Sequence, residues 1–143
     1  MSLALDPRVV VARVVPWLVP VAPVTVECGY PSPAQDYFSG EIDLNEHLIQ
    51  DKTSTFIVRV SGDSMQEAGI SDGDELIVNK ALEPKDGSVV VAILDGELTI
   101  KRLRITAAGV VLEAANPKYP SIRVPELAEL RIWGVVTRCL HYV

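Results

Sequence analysis

The sequence predicts a mainly β domain of curled antiparallel sheets, carrying an extended N-terminal arm. Three observations lead there. Short apolar runs rich in Val, Ile and Leu recur from residue 55 to the end, Asp-Gly pairs punctuate them, and six of the ten prolines fall within residues 1–40. β-Branched side chains suit the pleated, half-buried surface of a strand. Asp-Gly is a favoured reverse-turn pair.

Residues 1–40 read as the arm. Pro7, Pro16, Pro20, Pro23, Pro31 and Pro33 remove backbone donors at a spacing that forbids a long helix. Residues 29–34, Gly-Tyr-Pro-Ser-Pro-Ala, read as an exposed linker. Extended backbone with unpaired amides can add to a sheet edge or lie in a groove. The character changes near Ile42, and residues 41–143 form the β domain. Asp43 followed by Glu46 resembles a capping box opening a short helix to about Ile49. Strands are then expected over 55–60, 75–79 and 88–94. Asp95-Gly96 turns the chain into 97–105, and strands at 109–113, 121–124 and 130–140 complete the set.

Of 143 residues, 48% are hydrophobic, enough for a real core, while aromatics reach only 6%, so aliphatic side chains must fill it. The net charge of −6 argues against a protein that grips a phosphate backbone with its own surface. The two cysteines, Cys28 and Cys139, lack metal-ligand spacing and read as free thiols of a reducing compartment. Residues 9–26 are apolar, but Arg13 and three prolines interrupt them, and only Asp6 is charged ahead of Arg8. That is neither a bilayer span nor a signal peptide. The expectation is a soluble cytoplasmic protein without membrane attachment, metal or cofactor.

Candidate chemistry centres on two residues. Residues 61–65, Ser-Gly-Asp-Ser-Met, follow a strand, and Gly62 permits a tight turn. Ser64 then stands at the start of a helical turn, beside free N–H groups able to hold an oxyanion. A serine in this place can equally be a simple cap. Lys101 sits on a strand where alternation puts it on one face with Leu103 and Ile105, while Arg102 and Arg104 point the other way. A snorkelling strand-end lysine fits that pattern. So does a desolvated amine, its pKa pulled below the reference of about 10.4 and able to take a serine proton. His47 and His141 read as surface residues, a thiol site built on Cys28 and a histidine lacks support, and Asp72-Gly73-Asp74 reads as a turn rather than a calcium loop.

The motifs around Ser64, then Gly69-Ile70-Ser71-Asp72-Gly73-Asp74, then 95–103 with Lys101, resemble the self-cleaving SOS-response regulators of the LexA/UmuD family. Glu27-Cys28-Gly29-Tyr30-Pro31-Ser32-Pro33-Ala34 resembles their cleavage segment, and Ile42-Asp43-Leu44-Asn45, Leu48-Ile49-Gln50 and Gly134-Val135-Val136 also fit. The likeness runs from about Glu27 to the C-terminus and is poor over residues 1–26. It implies a β-clip-like protease domain, Ser64 as nucleophile, Lys101 as general base, a loop of Gly62, Asp63 and Met65 around the nucleophile, and a scissile bond between Cys28 and Gly29. It further implies a homodimer, cleavage stimulated by a RecA–single-stranded DNA filament, and a trimmed form that joins a UmuC-type Y-family polymerase in translesion synthesis. Residues of both kinds fit the chemistry: Gly29 suits a cramped site, and Cys28 a small pocket.

Other readings remain. A signal peptidase uses a similar Ser/Lys pair but carries a membrane anchor, and has Pro-Thr soon after its Met where Gln66-Glu67-Ala68 stands here. A catalytically inert module that binds a polymerase subunit would share the fold. A repressor or anti-repressor would bind DNA, yet no helix-turn-helix domain fits into the proline-interrupted residues before Gly29, so direct specific DNA binding is not expected.

Overall fold

The computed structural model describes residues 17–22, 25–26, 28–29, 40–125 and 128–143. The expected linker at 29–34 lies, Gly29 apart, outside them. The chain divides between His47 and Leu48 into two compact units.

In the first unit, strand β1 (Leu18–Pro20) pairs antiparallel with β2 (Glu41–Asp43), with Val19 opposite Ile42. Pro20 is tolerated because it ends a strand with only one partner. This pairing was not legible in the sequence, since three residues on each side carry no pattern of their own. The Asp43 carboxylate then caps helix α1 (Leu44–Leu48), its Oδ1 accepting from the N–H of Asn45 at 3.0 Å and of Trp17 at 3.3 Å. One side chain thereby satisfies an orphan donor of the helix and ties down the residue that leads into β1. His47 lies exposed on this helix.

The second unit is mainly β, as the sequence predicts. Its strands are β3 (Thr55–Arg59), β4 (Glu75–Asn79), β5 (Val89–Leu94), β6 (Glu97–Thr106), β7 (Gly109–Glu113), β8 (Ile122–Arg123) and β9 (Leu130–Leu140). They form one seven-stranded sheet in the order β3-β4-β9-β5-β6-β7-β8, every pair antiparallel. The Asp95-Gly96 hairpin forms, with positive φ at both residues, as the right-handed twist of the flanking strands demands.

β5 is buried on both faces, which explains its unbroken Val-Val-Val-Ala-Ile-Leu run. Val91 packs with Val60, Met65, Ile70, Leu76 and Val78, while Val90 and Ala92 pack with Leu103, Leu112 and Val135. The first cluster underlies the Ser64 loop; the second lies beneath Lys101, which pairs across the sheet with Val90. Lys101 and Leu103 are buried on their shared face, but Ile105 is 52% exposed.

β9 carries two bulges. Val91 faces Gly134 and Ala92 faces Ile132, so Trp133 is the extra residue against β5; Ile77 faces Arg138 and Val78 faces Val136, so Thr137 is the extra residue against β4. A bulge bends its strand and re-aims the unpaired side chain. The Trp133 indole meets the Phe56 ring of β3 at a tilt, centroids 5.3 Å apart, with the Lys80 ammonium over its ring at 4.9 Å.

Candidate active site

A cleft of about 450 Å³ opens in the second unit. One wall is the end of β3 and the loop after it, from Val58 to Met65; the other is Leu98 to Lys101 of β6; Val91 and Trp133 line the floor. Ser64 and Lys101 come together within it. Lys101 Nζ donates to Ser64 Oγ at 3.1 Å, to Thr99 Oγ1 at 2.9 Å and to the Ile100 carbonyl at 3.1 Å.

Lys101 is 9% exposed, and none of these three partners is a carboxylate. Burial therefore acts on the ammonium without a compensating negative charge, and it pulls the Lys101 pKa below the ordinary lysine value. Neutral oxygens orient the nitrogen while leaving deprotonation affordable at alkaline pH. In the neutral form its lone pair is free to accept from the Ser64 hydroxyl.

The Ser64 loop is shaped by its own sequence. Gly62 has φ of 97°, a left-handed conformation suited to glycine, and its N–H donates to Asp72 Oδ1 at 2.7 Å. Residues 66–68 close a 3-10 turn that ends on Gly69. Met65 is 3% exposed and anchors the turn in the core. Among the described residues, nothing accepts a hydrogen bond from the N–H of Ser64 or Met65. Two adjacent free donors beside a hydroxyl are what a developing oxyanion requires. The loop residues Gly62, Asp63 and Met65 thus surround Ser64 in space as they do in sequence.

The segment after β7 was not singled out in the sequence, although Asn116-Pro117 is a turn dipeptide. It packs against the back of the loop: the Ala115 N–H donates to the Ser64 carbonyl at 2.8 Å, and Asn116 Nδ2 to the Asp63 carbonyl at 2.8 Å.

Asp72-Gly73-Asp74 is a turn whose carboxylates serve the loop and the chain end. Asp74 is 3% exposed; it accepts from the Ser71 N–H at 2.8 Å and the Cys139 thiol at 3.2 Å, and lies 2.6 Å from His141 Nδ1. The Ser71 N–H and His141 hold its carboxyl below the usual range. Burial and the Asp74 carboxylate push the Cys139 thiol up to about 11. His141 is therefore not the plain surface residue expected; its ring is half exposed but bound to a buried acid.

Cys28 and Gly29 are exposed and belong to the first unit. No group of three or more His, Cys, Asp or Glu side chains able to hold a metal ion occurs among the described residues. No helix among them is long and apolar enough to cross a membrane.

The Peptidase S24-like family model matches residues 20–137. The chain belongs to this peptidase family. Its S24-like match spans the cleft, both Ser64 and Lys101, and most of the sheet. Among relatives, it is 47% identical to protein SamA of Salmonella typhimurium strain LT2, over 79% of this chain and 78% of that protein. It is 41% identical to protein ImpA of Escherichia coli, over 80% of this chain and 78% of that protein. A LexA repressor, from Oleidesulfovibrio alaskensis, is 41% identical over 78% of this chain and 54% of its own length. These matches place the protein among the UmuD-like and LexA-like S24 proteins of the SOS response.

Proposed function

We propose that this S24-family protein cuts its own chain once, between Cys28 and Gly29, with Ser64 as nucleophile and Lys101 as general base. The observation that carries the reading is the 3.1 Å contact between Lys101 Nζ and Ser64 Oγ inside a cleft, with the amine desolvated. Neutral Lys101 takes the Ser64 hydroxyl proton as Oγ bonds to the Cys28 carbonyl carbon. The N–H groups of Ser64 and Met65 receive the oxyanion. The Lys101 ammonium returns its proton to the Gly29 nitrogen as the C–N bond breaks. Water then attacks the Ser64 ester, and the same lysine assists, leaving a Cys28 carboxylate. A tethered substrate has a high effective concentration, so a single-use catalyst suffices.

The cell role we propose is that of the resemblance. A homodimer in the cytoplasm, in which residues 1–40 form the arm and 41–143 the protease domain, is triggered by a RecA–single-stranded DNA filament. The trimmed form serves a UmuC-type polymerase in translesion synthesis. The net charge of −6 fits docking on protein rather than direct binding to DNA.

The test is self-cleavage of the purified protein at alkaline pH without RecA. Intact mass is expected to show a product beginning at Gly29, lost in Ser64→Ala and in Lys101→Ala. Cutting that persists in both variants overturns the assignment. A folded protein that never cuts, with or without RecA filaments, marks it as an inert binding module.

A further inference from the structure

Four hydrogen bonds tie the 115–119 turn to the nucleophile loop. The Ala115 N–H donates to the Ser64 carbonyl at 2.8 Å, and its carbonyl accepts from Glu67 N–H at 2.7 Å. Asn116 Nδ2 donates to the Asp63 carbonyl at 2.8 Å, and Tyr119 Oη donates to Asp63 Oδ1 at 2.5 Å. The two bonds to Asp63 come from side chains, so they are choices of residue rather than consequences of backbone pairing. Asn116 is 7% exposed, and its Oδ1 accepts from the Lys118 N–H at 3.0 Å, so both ends of its amide are used. Asp63 is the residue immediately before Ser64, and its carbonyl also accepts from the Gln66 N–H at 3.2 Å, the turn that leads into the 3-10 helix.

We propose that Asn116 and Tyr119 are positioning residues that set Ser64 Oγ against Lys101 Nζ by clamping Asp63 from both its carbonyl and its carboxylate. The inference rests on the Ser64/Lys101 reading and adds to it the part of the chain that holds the geometry. Neither residue lines the cleft or touches Lys101. Their effect passes wholly through the loop. The Gly62 N–H on Asp72 and Met65 in the core hold the two ends of the loop, and the clamp fixes Asp63 between them. The hydrogen bond to the Asp63 carboxylate and its charge also raise the Tyr119 pKa above the ordinary tyrosine value, which favours the protonated donor.

The experiment uses the full chain with two readouts: the rate of alkaline self-cleavage, and labelling of Ser64 by a fluorophosphonate, which needs no cutting. Tyr119→Phe and Asp63→Ala are each expected to slow both by roughly tenfold or more, since small misplacements of a reacting atom are costly. The double variant should be no slower than either single one, because both remove the same bond. Asp63→Asn keeps an oxygen acceptor for Tyr119 and should recover most of the rate. The midpoint of the pH–rate profile should stay where it is in all of them, because the Lys101 shift comes from burial, and the residues that bury the amine are left in place. Tyr119→Phe that cuts and labels at the parental rate overturns the clamp while leaving the dyad intact. So does a loss that follows only a lowered melting temperature, or additive effects in the double variant. A parent protein that neither cuts nor labels, with Ser64→Ala indistinguishable from it, overturns both.

Discussion

Gly134 of β9 passes so close to Val78 of β4 that a methyl group added at Gly134 would lie 2.5 Å from Val78 Cγ1. The approach lies next to the bulge that frees Trp133, and it brings the two strands together where they support the cleft floor. Gly134→Ala is expected to destabilise the protein by about 1–3 kcal/mol through overpacking. Adding Val78→Ala to that variant should recover part of the loss, a coupling readable by chemical denaturation.

Lys101 offers a test through pH. Its folded pKa lies below its unfolded one, so between the two values the unfolded chain binds more protons. Stability must therefore rise with pH through that window, and the cost of the buried ammonium is full only below the folded pKa. Lys101→Met is expected to melt higher than the parent at neutral pH, with the gap narrowing toward pH about 10. The self-cleavage rate should climb as Lys101 loses its proton, with a midpoint below the ordinary lysine pKa.

Asp74 has the opposite sign. Its folded pKa is depressed, so its contribution is present above the unfolded value of about 3.9 and fades as pH falls through the folded one. Asp74→Asn is expected to lower the melting temperature at pH 7. In acid the two proteins should converge, as measured by thermal unfolding at a series of pH values.

The cysteines should separate in a thiol-labelling time course at pH 8. Cys28 is exposed, whereas Cys139 is partly covered, bonded to Asp74 and has its pKa pushed up to about 11. One fast and one slow modification are expected, and Asp74→Asn should accelerate the slow one.

Leu112 is fully buried in the cluster beneath Lys101. Leu112→Ala is expected to cost about 2–5 kcal/mol in denaturant unfolding.

Much of the second unit was legible because its signals are local. The alternation on β6, the continuous run of β5 and the Asp95-Gly96 pair each depend on residues next to one another. Lys101 stood out by the same logic, as a charge on an apolar face. What escaped depends on distant partners. That Trp133 is the extra residue of a bulge follows only from the register of β9 against β5. His141 looks solvated until the fold delivers Asp74 to it, 67 residues away in sequence. Asn116 and Tyr119 sit in an unremarkable turn, and only the sheet brings that turn behind Ser64.

The Trp133 indole also gives the protein its own optical gauge. Trp133 is one of two tryptophans, and the other, Trp17, is 69% exposed and precedes the proposed cut. In a Trp17→Phe background, emission would come from the cleft floor alone. Any peptide settling there would shift its colour, letting occupancy be followed in real time, apart from bond breaking.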